Sequence, residues 1–84
     1  MIQIDFTIKP KETIHEYRLD YWGNRCTYDK NGLHHSYDDL PAIVYSFGTK
    51  CWLEHGNYHR DNDLPAIVWA DGRKEYWLNG KRIK

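Results

Sequence analysis

The sequence predicts an all-β fold: an antiparallel meander of repeated β-hairpins with one extra N-terminal strand. The block DLPAIV at residues 39–44 returns at residues 63–68, which is 24 residues later. Self-similarity at such a period is typical of stacked supersecondary units. Asn-Gly and Asp-Gly pairs separate short β-branched and aromatic runs, as turns separate strands. No stretch has the sustained 3.6-residue apolar spacing of an amphipathic helix.

The first element is a unique N-terminal segment, residues 1–16. Ile2, Ile4, Phe6 and Ile8 alternate with polar residues there, and this period of two predicts a strand. The repeats follow it. Three segments can be aligned on a glycine that is followed two positions later by a cation. We therefore predict a single domain, residues 1–84, with about two and a half copies of the repeat. These are a degenerate half repeat at 17–34 and repeats at 35–58 and 59–84.

Each copy is predicted to form β-structure. In the last copy, residues 66–69 are β-branched and aromatic, and Asp71-Gly72 is predicted to supply the positive-φ pair of a tight hairpin turn. Residues 74–78 are predicted to form the returning strand of this hairpin, and Asn79-Gly80 predicts a second turn. Pro41 and Pro65 stand at strand starts, where a missing N–H is tolerated.

The pleat of the strands predicts which residues form the core. Positions that stay apolar or aromatic in every copy are assigned to the main core: Tyr17/Ala42/Ala66, Leu19/Val44/Val68 and Tyr28/Leu53/Trp77. The opposite face is then predicted to carry Ile43, Tyr45, Phe47, Ile67 and Trp69.

Composition excludes several classes of function. Twelve basic residues balance twelve acidic ones, so the net basic footprint of a generic nucleic-acid binder is missing and nucleic acid is not an expected partner. The first residues alternate apolar and polar side chains and do not resemble a signal peptide, and no apolar run is long enough to span a membrane, so we expect no membrane partner. Two cysteines do not make a secreted disulfide framework. We expect a cytoplasmic protein with both thiols reduced.

The repeat motif resembles MORN-like short tandem repeats of small bacterial and phage proteins. The pattern is carried by residues 59–66 (HRDNDLPA), Asp71-Gly72 and residues 76–80 (YWLNG), and the resemblance covers roughly residues 17–84. It implies hairpins stacked into a sheet, and a role as an interaction module, with relatives among antitoxin-like and phage accessory proteins. Leu40 and Leu64 depart from the family pattern, which has glycine at that position.

His35 and His59 occupy equivalent positions, each four residues before Asp39 or Asp63. Because a structural contact is needed once per repeat and a catalytic residue once per protein, we interpret them as loop-holding residues. The alternative is a histidine or metal-dependent nuclease. No nucleophile or oxyanion motif accompanies the histidines, so the chain is not predicted to be an enzyme.

Cysteine and histidine spacing suggests one metal alternative. Cys51, His55 and His59 are separated by three residues each, and Cys26 aligns with Cys51. Structural zinc sites typically have paired ligands on knuckles, and the last copy has Glu75 at the cysteine position. Two small buried thiols facing each other across strands is the simpler interpretation, so neither a metal nor another cofactor is predicted.

Aromatic and cationic residues are the stronger functional signal. Such residues are enriched in interface hot spots, and the sequence predicts a non-catalytic protein-binding module of the inhibitor or antitoxin-like kind. The predicted partner-binding residues are Tyr45, Phe47, Trp52, Arg60, Trp69, Arg73, Lys74 and Tyr76. The same residue types also stack on and pair with nucleotides, so a binder that sequesters a nucleotide signal is the alternative. Exposed sheet edges additionally predict a homo-oligomer.

Overall fold

The protein is all-β throughout the part that the structure describes. A computed structural model describes residues 16–84, and these residues contain strands, turns and bends but no helix. The predicted N-terminal strand lies outside the described residues. The strands, in chain order, are β1 (Arg18–Leu19), β2 (Arg25–Cys26), β3 (Ile43–Val44), β4 (Lys50–Cys51), β5 (Leu53–Glu54), β6 (Asn57–Tyr58), β7 (Ile67–Val68), β8 (Lys74–Glu75), β9 (Trp77–Leu78) and β10 (Lys81–Arg82).

Six strands form the main sheet, in the order β1-β2-β3-β4-β7-β8, with every neighbouring pair antiparallel. Two small hairpins, β5–β6 and β9–β10, extend from it after β4 and β8. An isolated bridge between Tyr28 and His34 takes the corresponding place after β2. The predicted antiparallel arrangement of hairpins is therefore confirmed.

The two kinds of turn differ in their backbone. Between β9 and β10, Asn79 and Gly80 both have positive φ, 50° and 83°, which is the type I′ geometry expected of this pair. Between β7 and β8 the prediction of a positive-φ pair is wrong, because only Gly72 is left-handed, at 96°. The amide of Gly72 donates to Trp69 O and that of Trp69 to Arg73 O, each at 2.8 Å, so the loop is a turn closed by a left-handed glycine.

The core lies on one face of the main sheet. Strand register places Cys26, Ile43, Cys51 and Ile67 side by side across four strands. These residues are buried together with Ala42 and Leu53, and Tyr58 and Trp77 of the hairpins pack against them.

This arrangement corrects part of the predicted core. Ala42, Ala66 and Leu53 are buried as expected, but Leu19 is 66% exposed. Ile43 and Ile67, which were assigned to the opposite face, are core residues. Leu19, Val44 and Val68 do share one face, as alternation predicted, but it is the outer face, where they pair with Arg25, Lys50 and Lys74.

Side chains and turns connect successive segments of the stack. Asn24 Oδ1 accepts the amide of Ser46 at 2.8 Å, and Thr49 Oγ1 accepts that of Ala70 at 3.0 Å. Asn24 and Thr49 are the buried polar residues of the described chain. Their burial is explained by these bonds, because a buried polar group is stable only when it has a partner.

Candidate functional site: the outer face of the sheet

The face of the main sheet opposite the core carries alternating apolar and cationic side chains. We define the outer row by the strand register as Leu19, Arg25, Val44, Lys50, Val68 and Lys74. The three cations are exposed, whereas the two valines between them are half-buried. No carboxylate stands in this row. The outer row is therefore a flat, locally positive surface on a neutral chain.

The spacing of the cations follows from the sheet. Each is separated from the next by one apolar strand, and neighbouring strands lie about 4.8 Å apart, so the cations recur about every 10 Å. The guanidinium of Arg25 lies over the Tyr17 ring at 4.9 Å, and Lys74 Nζ makes a long contact of 3.5 Å with Gly72 O. Neither contact neutralises the charge.

An apolar groove deepens the outer face at its N-terminal end. It has a volume of about 250 Å³ and is lined by Tyr17, Arg25, Thr27, Leu40, Pro41, Ala42 and Val44. Tyr17 and Leu40 are more than half exposed. The groove thus joins exposed apolar area to Arg25 of the outer row.

Two predicted binding residues, Trp52 and Arg60, have structural roles. Trp52 is 7% exposed and its indole N–H donates to Asp39 O at 2.9 Å. The Arg60 guanidinium lies 3.9 Å from the Trp52 ring centroid and forms two hydrogen bonds to the Asp39 carboxylate, at 3.0 and 3.1 Å. It also donates to Pro65 O at 3.1 Å. Arg60 holds the Asp39 pKa below its usual value through these hydrogen bonds.

A polar cleft lies beside this cluster. It also has a volume of about 250 Å³, and its lining residues are His35, Ser36, Asp39, Trp52, Leu53, Glu54, His59, Arg60, Asp61 and Asn62. Three carboxylates face one arginine that is already paired, so the cleft offers an anionic ligand little attraction.

The other predicted binding residues are divided between the core and the surface. Trp69 packs against the core, and its indole N–H donates to Glu75 Oε2 at 2.9 Å. Arg73 is exposed, lies 5.2 Å above the Trp69 ring and pairs with Asp71. Phe47 is 64% exposed.

Two further predicted residues are engaged in ring contacts. Tyr45 stacks on Phe47 at 5.2 Å and is half-buried. Lys84 Nζ lies 4.8 Å from the Tyr76 ring. Lys74 is the predicted residue that belongs to the outer row.

Both repeated histidines support a neighbouring hairpin turn. His35 Nδ1 accepts the amide of His55, and His59 Nδ1 accepts that of Asn79, each at 3.0 Å. His55 and Asn79 have positive φ, 48° and 50°. The recurrence of the histidines is thereby explained as architecture, although the turn that each one holds belongs to the neighbouring hairpin and not to its own loop.

The cysteines lie in the core and away from the surface. Cys26 and Cys51 are free and buried, and both pair with Ile43, which stands between them. The thiols are thus buried across strands, as the simpler interpretation expected, with Ile43 of β3 between them. Burial raises the pKa of Cys51 to about 11, so its thiol stays protonated.

The residues of the outer row other than Lys74 are absent from the predicted site. The signal for them lies in the aligned copies, where a cation stands two residues after Gly23, Gly48 and Gly72. Only the strand register shows that Arg25, Lys50 and Lys74 share one face.

Comparison of the chain with known protein families, curated proteins and solved structures gave no match. Within residues 16–84, no helix is long and apolar enough to cross a membrane.

Proposed function

We propose that this protein is a non-catalytic binding module that docks on an acidic protein surface through the outer row and its apolar groove. The proposal is carried by one observation: three exposed cations alternate with apolar side chains in a row that contains no carboxylate. Apolar contact provides area that can be buried, and opposite charge provides orientation and a faster encounter.

A protein fits this face better than a nucleic acid. Three cations at about 10 Å spacing offer few phosphate contacts, whereas nucleic-acid affinity grows with the number of phosphates that are neutralised. The chain as a whole is neutral. An inhibitor or antitoxin-like protein, which the MORN-like resemblance implies, acts by occupying a surface of its target, and a rigid sheet face suits that task.

The nucleotide-sequestering alternative has weaker support. The aromatic and arginine pair that would hold a base and phosphate, Trp52 and Arg60, is engaged with Asp39 inside the molecule. The adjacent cleft also presents Glu54 and Asp61, which disfavour a phosphate.

A pair of double charge reversals tests the proposed surface. Lys50→Glu/Lys74→Glu changes the outer row, and Lys30→Glu/Lys81→Glu makes the same change in net charge at exposed lysines in the hairpins. We expect the hairpin variant to capture the same partner as the wild type in a pull-down. The outer-row variant should lose that capture while keeping its melting temperature, and added salt should weaken capture by the wild type. Equal capture by the two variants would remove the outer row as the interface.

A further inference from the structure

Three metal-ligating side chains meet where two successive hairpins stack. Asp29 starts the turn that is closed by the Tyr28–His34 bridge, His35 follows that bridge, and His55 lies in the turn between β5 and β6. One potential ligand atom from each residue lies within 4.8 Å of the other two. His35 recurs in the next repeat as His59, whereas His55 is replaced there by Asn79, so the repeat architecture does not require a histidine at position 55.

The carboxylate of Asp29 is fixed in position by its own loop. Its Oδ1 accepts the amides of Asn31 and Leu33, at 2.8 and 2.9 Å, while its Oδ2 points to His55 Nδ1 at 2.6 Å. The Asp29 side chain is 5% exposed and that of His55 is 61% exposed. The contact with His55 is the largest of the causes that lower the Asp29 pKa to about 2, so this oxygen is anionic at neutral pH.

The two imidazoles are held side by side. The rings of His35 and His55 lie 4.2 Å apart with an angle of 35° between their planes, and the His55 amide donates to His35 Nδ1 at 3.0 Å. The His35 ring also makes an edge contact with Tyr37 at 4.8 Å. Packing therefore restricts the rotation of His35, and a pre-oriented ligand loses less entropy on binding.

We propose that Asp29, His35 and His55 bind a divalent first-row transition ion of the Zn²⁺ type, with water in the fourth position. Two imidazoles and one carboxylate are a donor set that this class of ion accepts. Tetrahedral coordination with bonds of about 2.0–2.1 Å needs ligand atoms about 3.3 Å apart. The contact of 2.6 Å between Asp29 and His55 is shorter than that value, and the other separations between ligand atoms are at most 4.8 Å.

Binding exchanges existing hydrogen bonds for coordination. The Asp29–His55 contact opens by about 0.7 Å to the separation that tetrahedral ligands need. The proton on His55 Nδ1 moves to solvent and the ring proton is carried on Nε2 instead, so that the neutral imidazole coordinates through Nδ1. Where His35 coordinates through Nδ1, the ion takes the lone pair that the His55 amide uses, and that hydrogen bond is released. These exchanges predict modest affinity, below that of a preformed structural zinc site.

The next hairpin of the stack supplies a natural comparison. Glu54, His59 and Asn79 occupy the positions of Asp29, His35 and His55, and His59 accepts the Asn79 amide at the same distance of 3.0 Å. His59 Nε2 lies 3.4 Å from Glu54 Oε1. In this hairpin the side-chain amide of Asn79 stands where His55 supplies the third ligand, and the φ angles of the two residues, 50° and 48°, are almost identical. The substitution His55→Asn consequently removes the ligand and puts in its place a residue that adopts the same positive φ in the next hairpin.

The experiment titrates the full chain with ZnCl₂ by calorimetry and with Co²⁺ by visible absorption. We expect one ion per wild-type chain, with the d–d bands of four-coordinate Co²⁺. His55→Asn should bind at least about tenfold more weakly, since even the loss of an outer partner of a ligand costs 10–100-fold. Its melting temperature without metal should fall only slightly, because the contact with Asp29 that it loses is made by a side chain that is 61% exposed.

Nitrogen NMR of the wild-type histidine rings provides a readout that does not depend on a variant. Zn²⁺ should shift the ring nitrogens of His35 and His55 and leave those of His34 and His59 in place. No binding by the wild type at millimolar Zn²⁺ would overturn the proposal. Unchanged affinity in His55→Asn, or shifts confined to His34 and His59, would overturn it as well.

Discussion

Removal of the Arg60 side chain should destabilise the protein much more than removal of Arg73. Both arginines lie over a tryptophan and pair with an aspartate, yet the Arg60 side chain is 15% exposed and that of Arg73 is 71% exposed. Arg60 also donates to Pro65 O. The comparison therefore separates the effect of burial from the effect of contact type.

The magnitude follows from the contacts of Arg60. Its ion pair with the half-exposed Asp39 contributes about 0.5 kcal/mol. The charged hydrogen bond to Pro65 contributes about 1.5 kcal/mol, and the stacking on Trp52 about 1 kcal/mol. Arg60→Ala should then lower the free energy of unfolding by about 3 kcal/mol, which in a domain of this size lowers the melting temperature by on the order of 15 °C. Arg73→Ala should cost no more than about 0.5 kcal/mol.

Thermal unfolding followed by circular dichroism, and guanidinium unfolding followed by tryptophan fluorescence, measure both variants. Arg60→Lys is an informative intermediate, because Lys84 lies near Tyr76 and pairs with Asp63 at 3.0 Å in a similar arrangement. It keeps the charge but loses the bidentate fork, and should recover part of the stability. If Arg60→Ala and Arg73→Ala unfold at the same temperature, the structural role assigned to Arg60 is wrong.

Two further predictions concern the ends and the centre of the core face. Hydrogen bonds from the indoles of Trp77 and Trp69 are among the causes that lower the Glu75 pKa below its ordinary 4.5. A carboxyl group whose pKa is lower in the folded state stabilises that state above the unfolded-state pKa, and this stabilisation is lost as the pH falls. The stability advantage of the wild type over Glu75→Gln should therefore be largest at neutral pH and shrink below about pH 4.5. An advantage that is constant with pH would contradict this. Cys51 has its pKa raised to about 11 by burial, and Cys26 is also buried. Neither thiol should react with Ellman's reagent at pH 8 until denaturant is added, and rapid labelling of the native protein would place them at the surface.

The repetitive part of the fold could be predicted from sequence because its signals are local. Asn79-Gly80 is sufficient to predict a type I′ turn, and β-branched residues next to such turns predict strands. The face of each strand could not be predicted with the same success. Alternation groups Leu19, Val44 and Val68 on one face, but it does not say which face is buried, because both faces of these strands carry apolar residues. The pairing of Leu19 with Arg25 and of Val44 with Lys50 shows that theirs is the outer face.

The candidate site depends on contacts between copies, which composition does not reveal. Trp52 and Arg60 have the chemistry of a binding hot spot, but the partner that they satisfy is Asp39, 21 residues from Arg60. The outer row, by contrast, consists of common residue types, which are one leucine, one arginine, two valines and two lysines. These residues are distant in sequence, and only the register of the six strands brings their side chains to one face of the sheet.

The order of the strands also has a consequence for folding kinetics. Every strand pair in the described sheets joins nearby parts of the chain, and Arg25 with Val44, 19 residues apart, is the most distant pairing. Chain closure over such short distances has a small entropic penalty, and folding rates rise as contacts become more local. We therefore expect this domain to fold faster than β-sandwiches of equal length, and to grow by adding each hairpin to the one already formed.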